Sequence, residues 1–461
     1  MKRNVLTFIN HACFTIQNES ALLLVDPWLE GPAFNNGWSL LDQSTSNTGM
    51  VDQLERSRLP VYIWYSHEHP DHFSVSFIKK LKESFQGKVT FLFRPTLDKR
   101  LQGFLQRNAF DVIECAAGVP VALGHDMRIT VFPHSDGDSW CVINCGGRTI
   151  LNLNDCVLAS VEDCKAVRRK AEPIAPRIDF LFTQFGYANW VGNPDQSALR
   201  KSAAHEKINR IALQIAYLKP QVVVPFASFV YFSHPENAYH NAEQNTPQTI
   251  IEAPQLAAAA QIIRFMQPGG IIDLDDDNAA SLAPASKRAV AHWMTLRKRC
   301  ALLPAQGPLP LDDIKVAFEK YREVVSTGLL GLPGLLELSG RIRPLAIHLM
   351  DLQQTVQVSY RDGLKVLDHS PPVHISMASS SAIFLFKNEY GCNTTHVNGR
   401  FHSTNPAALL QFTQFFLPQR MVKDGYDKGR PLMTVAYLAR NVGARVARQL
   451  QGVLRRFSSV A

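Results

Sequence analysis

Ser66-His67-Glu68-His69-Pro70-Asp71-His72 places three imidazoles and the Asp71 carboxylate within six residues. The apolar run before it, Val61-Tyr62-Ile63-Trp64-Tyr65, predicts a buried strand, and Val75, Phe77, Ile78 and Leu81 after it have helical spacing. The cluster therefore belongs at the C-terminal end of a strand that turns into a helix, where α/β folds place their chemistry. A tight turn has no structural need of three titratable rings. Imidazole together with carboxylate suits zinc, iron or manganese, so the stretch reads as a metal site.

One strand-end turn fills only part of one or two coordination spheres. The remaining donors should be His, Asp or Glu placed directly after other apolar runs, and three positions qualify. His134 follows Val131-Phe132-Pro133 and opens His134-Ser135-Asp136-Gly137-Asp138. Asp155 follows Leu151-Asn152-Leu153-Asn154, and His234 follows Phe229-Val230-Tyr231-Phe232-Ser233. Each alone has an ordinary reading as a satisfied or exposed residue. Asp26 ends the strand-like run Ala21–Val25, and Glu30–Trp38 after it is a loop, since Gly, Pro and Asn break regular structure. Its aromatics either line a pocket or pin the loop to the core.

Up to about residue 275 the chain alternates strand-like runs (Val5–Ile9, Cys13–Ile16, Val89–Phe93, Met127–Phe132, Trp140–Asn144, Thr149–Leu153, Asp179–Thr183, Gln221–Pro225) with helical ones (Ser76–Phe85, Leu97–Asn108, Ala203–Leu218). Strands before and after a helix-strand region predict an α/β fold of mixed sheets covered by helices. A length of 461 residues predicts two or three domains. The acidic, then Ala/Ser/Pro-rich stretch Asp273–Ser286 marks the boundary. The expected division is a metal-binding domain over 1–275, a linker and connecting helix over 276–310, and a smaller C-terminal α+β domain over 311–461.

In that last part Ala346–Leu352, Val356–Tyr360, Val373–Met377 and Ser381–Phe386 read as strands, and Leu311–Val325, Leu409–Phe416 and Val435–Phe457 as helices. Phe384-Leu385-Phe386 and Asn393–Phe401 faintly resemble sterol-carrier-type domains. Val435–Phe457 sets five arginines (Arg440, Arg445, Arg448, Arg455, Arg456) against Leu438, Val442, Val446, Leu450 and Leu454. It reads as a docked amphipathic helix, with contact to an anionic membrane or an acidic carrier protein as the other reading.

The net charge of +8 is spread without a basic run carrying interleaved aromatics, so no nucleic-acid partner is expected. Eight cysteines without a C-x-x-C pair read as reduced thiols of a cytoplasmic protein. No apolar stretch reaches the length of a membrane span.

Taken together and in this order, the donor residues resemble the metallo-β-lactamase superfamily, in which an H-x-H-x-D-H run precedes a His, a bridging Asp and a last His. The resemblance covers roughly residues 1–275 and implies an αββα sandwich with two metals at the rim between its sheets. It implies His67, His69 and His134 on one metal, Asp71, His72 and His234 on the other, and Asp155 bridging. Asp26 would orient a ligand histidine. Within the superfamily, Asp26–Phe34 with Gly37-Trp38, Ser66–His72, Ile150–Cys156, and Pro225-Phe226-Ala227 through Ser233-His234-Pro235 are similar to the corresponding part of the CMP-N-acetylneuraminate hydroxylase family. That family is oxidative and carries a Rieske domain, whereas no C-x-H…C-x-x-H pattern occurs here.

Two chemistries fit the same donors. The hydroxylase-like segments favour an oxygen-dependent non-haem di-iron hydroxylase or N-oxygenase, with two iron ions and a separate electron donor. The alternative is a dizinc hydrolase acting on an ester, amide or phosphoester, and manganese is also compatible. A non-enzymatic metal-binding protein would show lost ligands, and none is lost. Asp71, Asp155 and His234 are the expected catalytic residues. Glu68 is either a general base or structural. Trp38, Tyr187 and Trp190 are candidate contacts to a small-molecule substrate, with core packing as the other reading. The C-terminal domain is a candidate surface for a homo-oligomer.

Overall fold

Leu22–Val25 is apolar at all four positions and every side chain is buried, a pattern that requires cover on both faces. The computed structural model, which describes residues 4–368, 372–434 and 436–437, supplies that cover. Leu23 and Val25 enter a core between two sheets, whereas Leu22 and Leu24 enter a second core under helices. The two-residue period of a strand dictates this division. Trp64 and Ile63, and Leu92 and Phe91, divide in the same way.

The first sheet runs Ile271–Asp273, Val5–Asn10, Cys13–Gln17, Leu22–Val25, Val61–Trp64, Val89–Phe93, Asp111–Glu114. Its first three junctions are antiparallel and its last three parallel. The second runs Val222–Phe226, Phe180–Gln184, Arg148–Asn152, Ser139–Cys145, Met127–Pro133, Pro120–Gly124. Here the first two junctions are parallel and the rest antiparallel. Phe14 of one sheet meets Phe182 of the other with ring centroids 4.8 Å apart, so the sheets pack face to face.

Helices Asn47–Ser57, Val75–Ser84 and Arg100–Arg107 cover the outside of the first sheet through Met50, Leu54, Phe77, Leu81 and Leu101. Val161–Ala171 and Ser197–Leu218 cover the second through Cys164, Val167, Ile208 and Ile211. The layers are therefore αββα, as expected. Val25 and Trp64 are paired in parallel, so the residues following both strands emerge on one rim.

The stretch 276–310 contributes to the first core through its helix Ala283–Arg297. Trp293 is fully buried, stacks on Phe229 at 3.9 Å, and donates its indole N–H to the Met266 carbonyl at 2.7 Å. Trp293→Phe removes that donor and leaves a small void, so a loss of about 1–2 kcal/mol is expected. A urea melt of the full chain reads it directly, and an unchanged midpoint would contradict this account.

Beyond residue 310 a second core forms around a sheet ordered Gly363–Val366, Gln354–Ser359, Leu345–Leu349, Ile375–Met377, His402–Ser403. Ser381–Phe386, expected as a strand, lies inside the helix Ser379–Lys387. Ala382, Ile383, Leu385 and Phe386 are all buried, so no polar face reveals the helical period and the apolar run is ambiguous in sequence. Residues 393–398 of the sterol-carrier-like stretch are helical too. The expected helix Val435–Phe457 falls outside the described residues, apart from 436–437. Among the described residues no helix is long and apolar enough to cross a membrane.

Candidate metal centre

Asp26 organises the rim. It sits in the left-handed region at φ 41°, and its N–H donates to the Trp64 carbonyl at 3.0 Å. Its buried carboxylate accepts the Ser66 N–H at 2.8 Å, the Ser66 hydroxyl at 2.7 Å and the Asn154 side-chain amide. His72 Nδ1 lies 3.1 Å from the same carboxylate. This fixes His72 with Nδ1 protonated towards Asp26 and Nε2 turned to the centre. Because the Ser66 hydroxyl donates to Asp26, it accepts from His67 Nδ1 at 2.9 Å, and His67 Nε2 is likewise left facing inward.

Six residues converge there. Donor atoms of His67, His69 and Asp71, of His67, His72 and Asp155, and of His11, Asp71 and His72 lie within 4.8 Å of one another in each group. His67 Nε2 is 3.0 Å from His69 Nδ1. His72 Nε2 is 3.4 Å from both Asp71 Oδ2 and Asp155 Oδ2. Asp155 is held from outside by the Gln184 amide at 3.1 Å. Donors on one cation with arms of 2.0–2.1 Å are separated by about 3.0–3.4 Å, so the spacing fits.

The hydrogen-bond inventory agrees. Both nitrogens of His11, Asp71 Oδ1 and His72 Nε2 are buried without a hydrogen-bond partner, a concentration that buried polar groups ordinarily avoid. Bound cations would satisfy these atoms.

Electrostatics sets the protonation. Burial, then the neighbouring His72 charge, lowers the His67 pKa to about 4. Burial, then His67, lowers His69 to about 4 as well. Both rings are thus neutral, the form that binds metal. For His72 burial favours the neutral ring, but the carboxylates of Asp71, Asp155 and Asp26 outweigh it and raise the pKa well above the ordinary value.

Two expected ligands stand outside these groups. His134 turns Nε2 to the Val157 carbonyl at 3.1 Å, although it lines the same cavity as His67 and His69. His234 is buried, with Nε2 lacking a hydrogen-bond partner. Its Nδ1 accepts the Glu236 N–H at 3.3 Å, its N–H donates to Asn237 Oδ1 at 3.0 Å, and burial and the Arg400 charge lower its pKa. Two other residues join the site without having been singled out in sequence. His11 enters from the first hairpin, and Asp138 lines the cavity beside His69, its pKa pushed up to about 6 by burial. Asp138 had a signal, four residues beyond His134. His11 had none, since it follows Asn10 in what reads as a plain turn.

The cavity over His67 and His69 has a volume of about 380 Å³, and its wall includes Glu68, Arg94, Tyr390 and Lys423. The Tyr390 hydroxyl donates to the Glu68 carboxylate at 2.7 Å, so the C-terminal part forms one side of the opening. Trp38, Tyr187 and Trp190 do not line it. Trp38 packs between Phe34 and Phe232 at 4.7 and 5.8 Å, Tyr187 donates to the His240 carbonyl, and Trp190 stacks on Phe401 at 5.0 Å.

No family model matches the chain. The cytidine monophosphate-N-acetylneuraminic acid hydroxylase of Macaca mulatta is 26% identical over 282 residues, covering 58% of this chain and 46% of that protein. The chain thus spans about half the length of the curated relatives it matches. Among solved structures, a mutant of the CmlA beta-hydroxylase is 18% identical with a TM-score of 0.41, over 59% of this chain and 54% of that one. The metallo-beta-lactamase fold protein YhfI from Bacillus subtilis is 12% identical with a TM-score of 0.38, over 59% and 98%. With helices outside two packed sheets and an H-x-H-x-D-H run on their common rim, this chain is a metallo-β-lactamase-fold protein similar in sequence to the CMP-N-acetylneuraminate hydroxylases.

Proposed function

We propose that the chain is an oxygen-dependent, non-haem di-iron hydroxylase or N-oxygenase acting on a small molecule, with electrons from a separate donor. The observation that carries this reading is the similarity to hydroxylases over 282 residues. Its support lies in how segments outside the ligand run surround the centre. Phe34 packs edge-on against His69 at 5.8 Å, the strand Trp38–Leu40 pairs with Val230–Phe232, and the Ser233 N–H donates to the Gly37 carbonyl at 3.0 Å.

His67, His69, Asp71, His72 and Asp155 would hold the metals, and Asp26 and Ser66 keep the rings of His72 and His67 turned inward. Iron held by these residues would supply the chemistry of oxygen reduction. The protein supplies the cavity beside it, in which Tyr390 fixes Glu68 and Arg94 places a positive charge on the wall.

Imidazole and carboxylate hold zinc equally well, and the same cavity would then serve hydrolysis of an ester, amide or phosphoester. Anaerobic purification, metal analysis and an oxygen electrode separate the two. Two irons per chain and reductant-dependent oxygen uptake are expected. Bound zinc with metal-dependent ester cleavage and no oxygen uptake would defeat the oxidative reading.

A further inference from the structure

We propose that His11 is a metal ligand, completing with Asp71, His72 and Asp155 the second metal position without His234. The inference rests on the binuclear reading but not on which metal is bound.

His11 occupies the turn between the strands Val5–Asn10 and Cys13–Gln17, at φ 38°. That left-handed conformation is uncommon for a residue with a side chain, and it is held from both sides. Asn10 Oδ1 accepts the His11 N–H at 2.9 Å, and the His11 carbonyl accepts the Ala227 N–H at 2.9 Å. Asn10 is itself tied to the Asp42 carbonyl at 2.8 Å and to Thr45 Oγ1 at 3.0 Å. The turn is therefore pinned to both sheets of the sandwich and to the loop after Leu40.

The ring it presents is 1% exposed and wedged edge-on between Trp28 at 5.5 Å and His72 at 5.8 Å. An ordinary buried histidine satisfies at least one nitrogen. Here neither nitrogen has a hydrogen-bond partner; the same holds for buried His240, but His11 alone of the two converges with Asp71 and His72. Nε2 is 3.5 Å from Asp71 Oδ2. That is long for an N–H···O bond, which runs about 2.7–3.2 Å, and near the separation of two donors sharing one cation.

His234 shares the burial, and its Nε2 too is without a hydrogen-bond partner, but it is placed differently. Its Nδ1 already accepts the Glu236 N–H, and it belongs to none of the converging donor groups among the described residues. His11 thus offers the fourth donor from a rigid hairpin.

The test uses the full chain loaded anaerobically with cobalt(II), followed by elemental analysis and visible ligand-field spectra. The parent protein should hold two ions, and a value below two would defeat the binuclear reading itself. In a chain that holds two, His11→Gly should retain one, with its visible bands reduced, and imidazole in the buffer should restore the second. His234→Ala should still hold two. Retention of two ions by His11→Gly, loss of one without imidazole rescue in protein of unchanged far-UV circular dichroism, or loss of one in His234→Ala would each overturn the assignment. His11→Gln provides a check on folding, since it fills the space, and it should also hold one.

Discussion

Asp26→Ala is expected to destabilise the chain by roughly 3–5 kcal/mol and to weaken metal uptake at least 10-fold. The stability loss follows from what the carboxylate accepts. The Ser66 N–H and hydroxyl, the Asn154 amide and His72 Nδ1 all converge on it, and Asp26 is 1% exposed. Water cannot replace it, and each buried donor left unmade costs about 1–3 kcal/mol. Relief from burying a carboxylate offsets part of the sum. The backbone adds to it, because alanine tolerates the φ of 41° less well than aspartate. The metal effect follows from His72, which loses the partner that fixes its orientation. Asp26→Asn separates the two contributions. It keeps the size and the backbone preference but points an amide N–H₂ at groups that are donors, so its urea midpoint should fall less than that of the alanine variant while its metal affinity falls comparably. Midpoints and metal titrations equal to those of the parent chain would remove Asp26 from its place at the centre of the rim.

How much of this was legible in sequence depends on the strand type. Leu22–Val25 and Val61–Trp64 are short, wholly apolar and end in polar residues, so both the strand and the rim position of Asp26 and Ser66–His72 could be read. The donors brought by the second sheet were legible only as residues after apolar runs, and that signal does not say where a ring points. Asp155 reaches the cluster, whereas His134 Nε2 meets the Val157 carbonyl and His234, whose Nδ1 accepts the Glu236 N–H, joins none of the converging groups among the described residues. His11 was invisible because its role comes from a hairpin turn folding across to a strand end sixty residues later, and nothing local marks that approach. The helix Ser379–Lys387 resembles a strand in sequence for a different reason: nearly all of its surface is buried, so the periodicity that distinguishes helix from strand is absent.

Arg400→Met is expected to cost about 3 kcal/mol and to loosen the C-terminal part from the rim while leaving the metal count unchanged. Arg400 is fully buried. Its Nε donates to Glu236 Oε2 at 2.9 Å, Nη1 to the Asn35 carbonyl at 2.8 Å, and Nη2 to Ser380 Oγ at 3.3 Å. One guanidinium therefore ties a helix of the second core to the loop that carries Phe34 against His69. Asn398 reinforces the join, accepting the Asn237 amide at 2.6 Å and donating to the Phe34 carbonyl at 3.2 Å. The approach there is so close that a Cβ on Gly37 would come within 2.4 Å of the Asn398 Cβ.

Methionine fills the volume of arginine but leaves the Glu236 carboxylate and the Asn35 carbonyl without their donor. Breaking one side of a buried pair generally costs 3–5 kcal/mol. Glu236 retains 21% exposure, so water recovers some of its solvation and the lower end applies. Arg400→Lys should recover only part of the loss, since an ammonium cannot span three acceptors as a planar fork does. Limited proteolysis should then cut Arg400→Met between the two cores, in the segment 300–310, faster than the parent chain. Metal analysis should still give the parent's count, because no converging donor has been touched. Unchanged cleavage with a lower metal count would mean that Arg400 acts on the centre itself and not through the loop.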